Sequence, residues 1–147
     1  MSTSTHKLNE LIEILRDGKM FYDEAATKVS DPSLRTMFHE MSATRSSAIA
    51  DLTKEVRAEG DEAADGGTMI GTLSKVYANA LAAITSDKDT TYVNQLEAAE
   101  DRLLHAFEGA AEETDSPKVR EILSRHAPEV RRMHDQMRSL KHQRNAA

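Results

Sequence analysis

Slid along itself until Tyr22 falls on Phe107, the first part of this chain lies on the second without a gap. In that register Ala25 falls on Ala110, Ala26 on Ala111 and Pro32 on Pro117. Leu34 then meets Val119, Arg35 meets Arg120, Met37 meets Ile122 and Phe38 meets Leu123, so that "SDPSLR" is answered by "DSPKVR". Any two amphipathic helices can be aligned in phase. A shared proline and arginine, in one register held across two helices and the turn between them, go beyond phase and mark an internal repeat. The repeat constrains the fold, because a lone helical hairpin cannot bury its apolar stripe. Two long hairpins joined by a long crossover make a four-helix bundle with one crossover connection.

The apolar spacing sets the boundaries. Leu8, Leu11, Ile12, Leu15, Tyr22, Ala26 and Val29 recur every three or four residues and predict a first helix from about Thr5 to Val29. Asp31 is placed to cap the next helix, with Pro32 at its first position. That helix carries Leu34, Met37, Phe38, Met41, Ala48, Leu52 and Val56 and ends near Gly60. "GDEAADGGT" is a polar loop, followed by a shorter helix from Met69 to Ile84. "TSDKD" leads into a fourth helix, Thr90 to Thr114, and "DSPK" opens a fifth, Pro117 to Arg144. The expectation is one all-α domain over residues 1–147, with a hairpin at 5–60, a crossover at 61–89 carrying a short fifth helix, and a hairpin at 90–144. The chain is long enough to bury a substantial core, and it lacks tryptophan and has only six glycines and three prolines, as a helical protein would.

Much chemistry is excluded. The net charge of −6 argues against a duplex-binding surface, so no nucleic-acid partner is expected. Without cysteine there is no disulfide, thiolate metal site or cysteine nucleophile. The start "MSTSTHKLNE" has no secretory pattern, and no apolar run approaches the ~20 residues of a membrane span. A cytoplasmic protein without a membrane partner is expected. No Ser-His-Asp signature is visible, "GDEAADGGT" lacks the Lys-Ser/Thr of a phosphate loop, and aromatic residues are too few for base stacking. The basic stretch "RRMHDQMRSLKHQR" reads as cations favouring the negative end of a helix. No catalytic or cofactor-binding residue is assigned, and the chain is expected not to be an enzyme.

The segments "LNELIEILRDGKMFYDEAA", "DPSLRTMFHEMSATR", "QLEAAEDRLLHAFEGAAEE" and "SPKVREIL" resemble the ferritin-like fold. More narrowly, they resemble an uncharacterised family of small bacterial four-helix-bundle proteins related to the rubrerythrin-type group. Ferritin-like oxidases hold two irons with one Glu on each of two helices and a Glu-x-x-His on each of the other two. The resemblance implies that these ligands would fall at Leu15 and Glu100, at Arg45 and Ala48, and at Val130 and Met133. Of the six, Glu100 alone has the required chemistry, so the di-iron site is degenerate and no metal is expected there.

Glu100 and Arg45 each interrupt an apolar stripe, Glu100 among Leu96, Leu103 and Phe107, Arg45 among Met41, Ala48 and Leu52. A carboxylate buried alone is costly, so the two are expected to form a core ion pair, for which the guanidinium fork is well suited. The segment "HAPEVRRMHD" places His126 on the core stripe and His134 at its boundary, with Pro128 expected to kink the last helix. Two readings follow. One is a non-enzymatic bundle with a structural or protein-interaction role, in a stress response among other settings, and forming a homodimer. Soft methionines and the crossover residues Val76, Tyr77 and Leu81 point to the dimer. The alternative is a metal-binding or redox protein with iron or manganese at a relocated site of Glu97, Glu100 and His126.

Overall fold

A computed structural model describes residues 3–68, 78–79, 81–82 and 87–146. Four helices form it: α1 (Thr3–Lys28), α2 (Pro32–Ala58), α3 (Lys88–Glu113) and α4 (Pro117–Ala146). Each begins and ends within a few residues of its periodic apolar stretch, and no strand occurs among the described residues. The expected crossover helix falls mostly outside the described residues, as do Val76 and Tyr77. Ala78, Asn79, Leu81 and Ala82 are helical, and Leu81 is half-buried.

Capping chemistry fixes the two hairpin turns. Asp31 Oδ1 accepts the Ser33 amide at 2.8 Å, with Pro32 supplying the first helical residue. Ser116 Oγ accepts the Val119 amide at 3.2 Å ahead of α4. The arginines of the two turns do the same work: Arg35 Nη2 donates to the Val29 carbonyl at 3.0 Å, and Arg120 Nη2 donates to the Thr114 carbonyl at 2.6 Å. The backbone bonds from Val29 to Ala25 and from Thr114 to Ala110 likewise fall at matching positions of the repeat.

In the bundle α1 packs on α2 and α3, and α4 packs on α3 and α2. The pairs α1/α4 and α2/α3 are therefore the diagonals. The apolar stripes form two clusters. One gathers Leu8, Leu11, Ile12, Leu15, Leu52, Val56, Phe107, Leu123 and Val130 among others. The second gathers Phe21, Tyr22, Phe38, Met41, Tyr92, Leu96, Met133 and Met137 among others. Each fully buried large side chain contributes roughly 1.5–3 kcal/mol. α4 runs without interruption through Pro128, which lies exposed on its outer side.

Polar side chains tie the connections to this frame. Asn9 donates to the Glu62 carbonyl at 3.0 Å and accepts the Ala64 amide at 2.8 Å, holding the start of the crossover on α1. Further along, Asp17 accepts the Thr68 amide at 2.8 Å and its hydroxyl, and pairs with Arg102 of α3 at 3.2 Å. A Cβ at Gly67 would overlap Asp17 Oδ1, so a larger residue there would push that carboxylate off its bonds to Thr68. Asp89, in the first turn of α3, accepts the amides of Ser30 and Asp31 at 2.8 and 2.9 Å and so clasps the α1–α2 turn.

Candidate functional site

Arg45 reaches from α2 across the bundle to Glu100 on the diagonal helix α3. Its Nη2 donates to both carboxylate oxygens, and the side chains are 1% and 2% exposed. Tyr22 of α1 donates its hydroxyl to Glu100 Oε1 at 3.0 Å. Burial pushes the Tyr22 pKa well up, and the neighbouring Glu100 charge adds to it against the opposing pull of Arg45, so the phenol keeps its proton and remains a donor. Gly18 lets α1 pass beside this group, since a Cβ there would lie 3.9 Å from Arg45 Nε. That Nε is buried without a partner. The layer sits where the two apolar clusters meet, with Leu15, Ala48 and Val130 on one side and Met133 on the other. Leu15, Arg45, Ala48, Glu100, Val130 and Met133 are all buried, none more than 5% exposed.

The remaining candidates have separate partners. Glu97 takes Lys141 at 3.4 Å, Glu100 takes Arg45 and Tyr22, and His126 takes Asp51 at 2.8 Å. These three are not brought together, and among the described residues no three His, Asp or Glu side chains gather as a metal-holding group. His126 also departs from its expected place on the core stripe. Its side chain is 14% exposed at the α2–α4 groove, beside a pocket of about 90 Å³ that Arg45 and Glu129 also line. The buried histidine is His134, 7% exposed, with Asp135 Oδ1 at 3.0 Å from Nδ1 and Asp101 Oδ1 at 3.2 Å from Nε2. The repeat does not separate the two histidines, because it sets His126 opposite Met41 and His134 opposite Ile49, both of which are buried.

Burial works against a charge on His134, but the hydrogen bonds and charges of Asp135 and Asp101 outweigh it and raise its pKa. A raised folded-state value means that the stabilisation is complete below the unfolded pKa and lost as pH rises through the folded one. Urea unfolding of the native chain and of His134→Asn is therefore expected to show an advantage for the native chain near pH 5.5 that shrinks by about pH 8.5. A difference that stays flat over that range would show that the two aspartates do not hold the proton.

An all-α four-helix bundle with a charged central layer is the class that these observations define. Within that class the chain belongs to the family described as a domain of unknown function (DUF2383), whose model matches residues 3–110. The matched span takes in Tyr22, Arg45 and Glu100 and ends in the last turn of α3. No curated protein matches the chain. No described helix is long and apolar enough to cross a membrane.

Proposed function

We propose that this is a non-enzymatic, ferritin-like bundle with a structural or protein-interaction role, in which a charged layer fills the place of a di-metal centre. The observation that carries this reading is the Arg45–Glu100 pair, buried on a diagonal of the bundle and completed by Tyr22. The carboxylate that a metal would need is already engaged by a guanidinium and a phenol, while leucine, alanine, valine and methionine fill the other implied ligand positions. The hydrogen bonds that recur at matching positions of the two hairpins support descent of both from one duplicated unit.

The test is elemental analysis of protein purified from its native cell without a histidine tag. Iron and manganese are expected well below one ion per chain. A stoichiometric metal that disappears on Glu100→Ala would overturn the reading in favour of a metal protein.

The interaction role extends to a homodimer in the cytoplasm, supported by Met20, a large apolar side chain left 38% exposed on α1. Sedimentation at micromolar concentration is expected to give twice the chain mass of 16.3 kDa. A single monomer species would remove the dimer.

A further inference from the structure

A groove lies between α1 and α2, on the outer side of the first hairpin. It has a volume of about 480 Å³ and is lined by Arg16, Lys19, Ser46, Ile49, Ala50, Thr53, Lys54 and Arg57. That is a ligand-sized volume. Four of the eight lining residues are cationic, although the whole chain carries a net charge of −6.

Lys19 is engaged by Asp23 at 2.8 Å. Arg16, Lys54 and Arg57 make no ion pair with any described carboxylate. Two polar atoms at the groove, Arg16 Nε and Thr53 Oγ1, are buried and make no hydrogen bond. Buried donors are normally satisfied, and each one left without a partner calls for an explanation. Both atoms are closed off from solvent, so a ligand would supply it by drawing the Arg16 and Thr53 side chains into the groove. Ile49 and Ala50 contribute apolar surface beside these groups, and no aromatic side chain lines the groove.

The repeat supplies an internal control. In the register that sets Tyr22 on Phe107, Arg16, Lys19, Lys54 and Arg57 correspond to Asp101, Leu104, Ser139 and His142. The cation cluster is therefore particular to the first hairpin and is not a by-product of how such hairpins are built.

We propose that the α1–α2 groove binds a small aliphatic polyanion, an organic molecule bearing two or three phosphate or carboxylate charges. Arg16, Lys54 and Arg57 supply the cationic contacts, Thr53 a hydroxyl donor, and Ile49 and Ala50 the surface for a short carbon body. The missing aromatic platform disfavours nucleotides, whose bases bind by stacking. The site is independent of the central charged layer, and its failure would leave the reading of that layer untouched.

Calorimetric titration with inorganic pyrophosphate and with citrate tests it, the two probes separating phosphate from carboxylate recognition. Saturable one-to-one binding of either, weakened by added salt, is the expected result. Charged hydrogen bonds are the strong ones, so Lys54→Gln/Arg57→Gln is expected to weaken binding at least about tenfold. Both side chains are exposed and without ion pairs, so circular dichroism of this variant should match the native chain. Ala50→Phe fills the groove without altering charge and is expected to abolish binding, whereas Arg138→Gln on α4 should leave it unchanged. No saturation by either anion up to about 10 mM would overturn the proposal. So would binding that is indifferent to Lys54→Gln/Arg57→Gln. Binding of polyglutamate with no response to the two small anions would also overturn it, and would make the face a docking surface for an acidic protein.

Discussion

Methionine in place of Arg45 is expected to destabilise the bundle by about 3–5 kcal/mol, because it leaves the Glu100 carboxylate buried without its cation. Glu100 is 2% exposed and would retain only the Tyr22 hydroxyl. A domain of this kind has about 5–15 kcal/mol of stability in total, so the loss would be visible directly in a urea transition. A midpoint within experimental error of the native chain would mean that the pair does not hold the centre.

The second large effect is expected at Asp89. One carboxylate there accepts the two amides of the α1–α2 turn, and its residue is 8% exposed. Asp89→Ala strands both donors, and each unsatisfied buried group costs about 1–3 kcal/mol. Ser30 is exposed, so water recovers some of this, and the expected loss is about 2–3 kcal/mol. Asp89→Asn keeps one acceptor oxygen and should lose roughly half as much. Hydrogen exchange should speed up at the Ser30 and Asp31 amides while the middle of α2 stays protected. Unchanged exchange at those two amides would show that the clasp is not what protects them.

What the sequence disclosed and what it hid divide along physical lines. Helix positions were legible because apolar spacing and the Asp31–Pro32 turn act locally, within a few residues of themselves. Arg45 and Glu100 were legible as anomalies, charged residues interrupting apolar stripes. That they meet across a diagonal depends on how four helices pack, which no single helix pattern contains. His126 and His134 show the limit of phase arguments. Eight residues along a helix amount to about 80° of rotation, so a small error in the orientation of α4 decides which of the two faces inward. Asn9, Asp17 and Asp89 were missed for a different reason. They satisfy amides and carbonyls of connecting segments, and a polar residue serving distant backbone leaves no periodic trace. The α1–α2 groove was not legible, because the space between its cations is made by two helices together.

Arg45 and Glu100 hold each other in the middle of the bundle. The most direct test of that pairing is the coupling energy from a double-mutant cycle, with Arg45→Met, Glu100→Met and the double variant compared in urea. Each single change leaves one buried charge unpaired, whereas the double change replaces the pair with apolar side chains, which is often neutral or stabilising. The double variant is expected to be more stable than either single one, with a coupling of at least about 3 kcal/mol. Losses that simply add, to within about 0.5 kcal/mol, would contradict it.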